Sequence, residues 1–146
     1  MSDYLSVEGL TGLEFLQKII TEKRQPPMAK LMGFSLVEVG DGHAVFEALV
    51  KEDFYNPLGT VHGGFAATLL GSALGCAVQT KLPKDALYGT VELKINYIRP
   101  MLKDTGLVRA TGKVLHVGRR MATSEARLED VKGKLLAHGS TTCMIY

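Results

Sequence analysis

The sequence predicts an α+β domain in which an antiparallel sheet carries one long helix on one face. Three observations predict it. The stretch Tyr55–Thr80 contains no Asp, Glu, Lys or Arg and is long enough for a buried helix. Two strand-like runs precede it, joined by Gly40-Asp41-Gly42. Four more follow it, separated by glycine-containing turns.

Each element can be justified in order. Leu10, Leu13, Leu16, Ile19 and Ile20 are spaced as one apolar helix face, which Pro26 and Pro27 are expected to stop. "MAKLMGF" allows one further helical turn, ended near Gly33. "FSLVEVGDGHAVFEALV" alternates apolar and polar residues about a Gly-Asp-Gly turn, a hairpin signal. The central helix is entered through Pro57 and Gly59 and left through Leu82-Pro83. Strands then follow in "YGTVELKINYIRP", "TGLVRATGKVLHVG", "RRMATSEARLED" and "KLLAHGSTTCMIY". In the first of these, alternation places Glu92 on the face of Thr90, opposite Val91 and Leu93.

Bulk properties narrow the function. The 146 residues suit one domain, and a net charge of +2 does not call for nucleic-acid binding. Cys76 and Cys143 both sit in apolar runs and read as buried free thiols. The four histidines are scattered and there is no CxxC, so no metal site is expected. The run from His62 to Gln79 approaches membrane-span length, and Gly71-x-x-x-Gly75 is a membrane-pairing pattern. Its content of Gly, Ala, Ser and Thr favours instead a helix buried on nearly all sides of a protein core. No signal peptide is read at the N-terminus, so a cytoplasmic, reducing compartment is expected.

The central helix carries Gly64, Ala67, Thr68, Gly71 and Gly75, a small-residue surface that would let other backbone approach. A helix-interior glycine costs about 1 kcal/mol against alanine. Gly71 and Gly75 therefore need a reason in packing or function.

"NPLGTVHGG" is the most informative stretch. It delivers the chain to a helix N-terminus, where the first amides lack intrahelical acceptors and face the positive end of the dipole. Gly63 and Gly64 carry no Cβ, so a ligand oxygen can reach those amides. A flexible helix entry is the plainer alternative, with Asn56 a turn residue and His62 a cap. Ser72 is flanked by Leu70 and Leu74 where a nucleophile elbow needs glycines. "GLVRATGKV" is one residue too long for a P-loop. Arg119 and Arg120 follow Gly118 at a turn, with Arg109 and Lys113 nearby, and read either as a solvated strand edge or as a phosphate contact. Arg99, before Pro100, reads as an exposed turn residue.

Together, "NPLGTVHGGFAATLL", "TVELKINYIRP", "GRRMATSEARL" and "GKLLAHGSTTCMI" resemble the PaaI-type hotdog-fold acyl-CoA thioesterases over roughly Phe34 to Tyr146. The resemblance implies a single domain: a hotdog core at 34–146, with residues 1–33 as a variable helical extension. It implies a homodimer of sheets joined edge to edge, and a dimer of dimers. No nucleic acid or membrane is implied, and no cofactor, coenzyme A being part of the substrate. It implies that the Gly63 amide polarises the thioester carbonyl while His62 and Asn56 help place that carbonyl or the attacking water. Thr90 would come from the other subunit. Gly64, Gly118, Arg119 and Arg120 would bind the coenzyme A part of the substrate, the last three matching a region that meets its phosphates.

One position departs from the pattern. Such proteins carry an acidic residue nine positions after the histidine, as nucleophile or general base, and here that position is Gly71. Three readings follow: an enzyme altered at that position, an enzyme in which Ser72, Thr68 or Glu92 substitutes, or a non-catalytic acyl-CoA binder. A hotdog dehydratase would also want an acid on this helix.

Overall fold

The computed structural model describes residues 5–146. Helix α1 (Gly12–Thr21) starts at a capping box: the Glu14 amide donates to Thr11 Oγ1 (3.2 Å), and the Thr11 amide donates to Glu14 Oε2 (2.8 Å). It ends at Thr21, well before the prolines. Pro26 and Pro27 do not stop it; they open the next helix, α2 (Pro27–Met32), where an N-terminal proline loses no helical bond. Gly33 closes α2 in the left-handed conformation, at φ 69°.

Six strands follow the expected order: β1 (Phe34–Gly40), β2 (His43–Leu49), β3 (Tyr88–Tyr97), β4 (Leu107–Val117), β5 (Met121–Asp130) and β6 (Leu135–Ile145). They form one antiparallel sheet in the order β1-β2-β4-β5-β6-β3. The long helix α3 (Gly63–Gln79) lies across it, and Leu69, Leu70 and Leu74 are buried against Phe46, Val108 and Leu128. This is the α+β hotdog arrangement. No helix among the described residues is long and apolar enough to cross a membrane.

Two contacts fix the helix on the sheet. A Cβ at Gly112 of β4 would overlap the Ala73 carbonyl, so this glycine sets the closest approach. Buried Ser124 of β5 donates to the Leu74 carbonyl at 3.0 Å. At its far end α3 is clasped by α1: Gly12 lies against the Gln79 carbonyl and donates its amide to Leu82 O at 3.0 Å.

Expectations for α3 and then for β3 also need correction. Gly71 and Gly75 on the small-residue surface of α3 meet the Leu93 and Tyr88 side chains of β3 rather than other backbone. Nor is α3 enclosed on nearly all sides, because Gly64 is exposed and Ala67, Thr68, Gly71 and Ser72 are half-buried. The second correction concerns Glu92. Thr90 pairs with Cys143, but Glu92 pairs with Thr142, so Val91 is an extra residue in a β-bulge. The bulge inverts the alternation. Thr90 shares the face of buried Cys143, whereas Glu92 points away from the helix and accepts from Thr142 Oγ1 at 2.9 Å.

Candidate active site at the start of the long helix

The site is built on the loop entering α3. A short 3-10 turn at Glu52–Phe54 ends on Phe54, whose ring stacks on Phe65 of the helix with centroids 4.4 Å apart. The His62 amide donates to the Phe54 carbonyl (2.7 Å) and the Val61 amide to the Met101 carbonyl (2.9 Å). These ties hold the helix start at a fixed place beside the end of β3.

Asn56 is spent inside this loop. Its Oδ1 accepts from the Leu58 and Thr60 amides (2.9 and 3.3 Å), and its Nδ2 donates to Thr60 Oγ1 (3.1 Å). Asn56 thus shapes the loop, while the second N–H of its Nδ2 takes no part in these bonds. His62 is the N-cap, its Nδ1 accepting from the Gly64 amide at 2.8 Å. The Phe65 amide donates to the His62 carbonyl at 3.0 Å. The Gly63 amide has no acceptor among the described residues. The helix start therefore leaves a donor at Gly63 while closing its neighbours.

A cavity of about 410 Å³ adjoins this point, bounded by Val61, Gly63, Ala66, Tyr97, Ile98 and Met101. Its lining is mostly apolar, with Arg99 the one charged residue at its wall, which suits an organic group whose polar end rests on the helix start.

The other candidate residues lie elsewhere. At Gly71 a Cβ would meet only Leu93 Cδ2, at an ordinary 3.7 Å. No packing within the chain demands glycine there. Gly75 is different, since its Cβ would fall 2.6 Å from the Tyr88 hydroxyl. Thr68 and Ser72 turn their hydroxyls back onto the helix, donating to Gly64 O (2.9 Å) and Thr68 O (2.8 Å). Thr90 Oγ1 lies 4.0 Å from Cys143 Sγ, and Cys143 packs with Val78 near the helix C-terminus. Arg119 and Arg120 are exposed at the β4–β5 turn, where the Gly118 amide donates to Met121 O at 2.7 Å. Met121 pairs with Met144 at the same end of the sheet as Thr90. Since α3 has 17 residues, about 25 Å separates its ends. One chain thus brings His62, Gly63 and Gly64 together but leaves Thr90 and the arginine pair at the opposite end.

Near that end, burial pushes the Cys76 thiol up to about 12, opposed by a hydrogen bond with Tyr88. Burial also holds Tyr88 well above the usual tyrosine range. Both groups stay neutral at ordinary pH and offer no nucleophile.

Sequence reasoning missed Tyr97. In the sequence it is marked only by its place in the strand-like run "YGTVELKINYIRP", yet its hydroxyl donates to the Gly63 carbonyl at 2.9 Å. Only the fold reveals that the last residue of β3 reaches the first of α3.

The fold is that of the hotdog thioesterases. Residues 58–137 match the family model described as the thioesterase superfamily. The chain is 27% identical over 118 residues to the 1,4-dihydroxy-2-naphthoyl-CoA hydrolase of Listeria monocytogenes, covering 81% of this chain and 94% of that protein. It is 31% identical over 109 residues to human acyl-coenzyme A thioesterase 13, covering 74% and 76% respectively. The solved structure of the E. coli PaaI protein superposes with a TM-score of 0.77 at 20% identity, covering 88% of this chain and 90% of that one, a likeness of fold. The chain belongs to the thioesterase superfamily.

Proposed function

We propose that the protein hydrolyses acyl-CoA thioesters to the free acid and coenzyme A. The observation that carries the proposal is the Gly63 amide, without an acceptor in a helix turn whose next two amides are already bonded. A thioester carbonyl docked there gains a hydrogen bond that strengthens as its oxygen becomes anionic on attack by water. The helix dipole favours the same charge. Collapse of the tetrahedral adduct breaks the C–S bond and expels coenzyme A, whose thiolate takes up a proton from solvent to balance the one the attacking water releases.

This chain's own residues supply the electrophilic half of that chemistry. The proton-accepting half is weak at position 71, because glycine cannot take a proton. Ser72 is tied to the helix backbone and Glu92 faces the other side of the sheet, so neither replaces a carboxylate from its present position.

A second copy completes the site. Val91, Leu93 and Tyr97 are 54%, 41% and 57% exposed on the uncovered edge strand β3. A copy pairing its own β3 antiparallel across that edge would carry its Thr90, Arg119 and Arg120 toward this chain's Gly63. The arginines would then meet coenzyme A phosphates. A homodimer of this kind, and a tetramer formed from two such dimers, is part of the proposal.

The second reading, an acyl-CoA binder without turnover, is favoured by one observation, the absence of an acid at Gly71. Thiol release from a panel of aliphatic and aromatic acyl-CoAs separates the two. Steady turnover supports hydrolysis. Tight binding of a non-hydrolysable thioether analogue with no thiol release supports the binder.

A further inference from the structure

Tyr97 joins three residues at the helix start. Its ring stands directly over Gly63, where a Cβ would fall 2.9 Å from ring Cζ and Oη. The hydroxyl donates to the Gly63 carbonyl at 2.9 Å. That carbonyl and the Gly64 N–H belong to one peptide unit, and the Gly64 N–H donates to His62 Nδ1 at 2.8 Å. The hydrogen bonds therefore run in one direction: phenol to carbonyl, then amide to imidazole.

Two physical consequences follow. An amide that accepts at oxygen becomes a better donor at nitrogen, by roughly 10–30% per bond in such chains. A ring nitrogen that accepts a hydrogen bond cannot carry the proton, so neutral His62 carries it on Nε2. His62 is exposed, so that Nε2–H is available to a ligand.

We propose that Tyr97 is a positioning residue which, through the Gly63–Gly64 peptide, holds His62 as the Nε2–H tautomer. His62 then acts as a hydrogen-bond donor to the thioester carbonyl beside the Gly63 amide. In this state Nε2 cannot accept a proton from water. The tautomer itself rests only on the hydrogen-bond chain; its use toward a thioester rests on the hydrolase reading above.

The test is Tyr97→Phe, which removes the hydroxyl and keeps the ring. Uniformly 15N-labelled native protein is compared with the variant at a pH where the imidazole is neutral, with His62→Gln used to assign the His62 signals. The native long-range spectrum is expected to show a protonated Nε2 and an acceptor-type Nδ1. In the variant the Gly64 amide proton should move upfield and the two nitrogen shifts should move toward each other as the tautomers mix. Thiol release is expected to fall in kcat by no more than the worth of one neutral hydrogen bond, about tenfold, with KM changed less than twofold. A native Nδ1–H tautomer overturns the proposal, as do an unchanged imidazole spectrum in the variant or an effect confined to KM. If the spectrum changes as expected but neither protein releases thiol, the positioning role stands and the hydrolase reading fails.

Discussion

Replacing Gly71 with Asp tests most sharply what the missing acid means. The structure gives the perturbation its scale. The new Cβ meets only Leu93 Cδ2 at 3.7 Å, so the first atom of the side chain enters without overlap. Gly71 is half-buried on the open face of α3, where a carboxylate keeps part of its hydration. Helix propensity favours Asp over Gly by a few tenths of a kcal/mol. Partial desolvation of the charge opposes that gain, so the net stability change should stay within about 1 kcal/mol. The effect on rate is far larger if position 71 borders the attacking water. A general base contributes about 10²–10⁴ in rate, roughly 2.7–5.4 kcal/mol of barrier. The assay is thiol release from acyl-CoA by native, Gly71→Asp and Gly71→Asn proteins, with thermal unfolding followed alongside. The aspartate is expected to raise kcat by 10²-fold or more, and the uncharged asparagine to leave it near native. Equal effects of the two would show that filling space matters and proton transfer does not. A fast native enzyme that the aspartate leaves unchanged would refute the assignment of position 71.

Three further outcomes are expected. Gly75→Ala puts a methyl 2.6 Å from the Tyr88 hydroxyl, so it should cost about 1–3 kcal/mol in denaturant unfolding, and Tyr88→Phe should recover part of that loss. Val91→Glu places a charge on the exposed edge strand, and light scattering should show it shifting the proposed dimer toward monomer. Stability should fall as pH rises above 9.0, because the unfolded Cys76 thiol ionises there while the folded one resists to about 12. The group binds its proton more tightly when folded, so its contribution is intact below 9.0 and is lost between those values. Tyr88 shifts in the same direction, and Cys76→Ala should flatten the decline in urea midpoints measured across this range.

The element order was legible because each segment carried a strong local pattern. The Gly40-Asp41-Gly42 hairpin, the uncharged helix and the glycine turns all fold as local chemistry dictates. The bulge at Val91 was not legible, since it depends on how β3 registers against β6 and leaves no gap in the alternation. That one residue reverses the side on which Glu92 lies. Helix α1 ends short of the prolines: its Glu22 cap amide reaches back to the Lys18 and Ile20 carbonyls. At the site, His62 and Gly63 could be read from spacing and resemblance, because a cap followed by glycines has a local meaning. Tyr97 could not, since its partner is Gly63, distant in sequence and adjacent only after β3 returns along the helix. The two reasons offered for the helix glycines also separate only in three dimensions. Gly75 makes room for Tyr88, and Gly71 makes room for nothing in its own chain.

The Gly63 amide is the group on which the account turns, and Gly63→Pro deletes it alone among the backbone donors. Proline suits the first position of a helix, and the exposed Tyr97 ring must shift to admit it, so the loss is compared with that of Tyr97→Phe, which removes the Tyr97 contact alone. With circular dichroism showing the fold retained, thiol release from the best acyl-CoA substrate of the native protein should fall by about 10²-fold or more, as for loss of an oxyanion donor. Hydrolysis at the native rate in that variant would contradict the account.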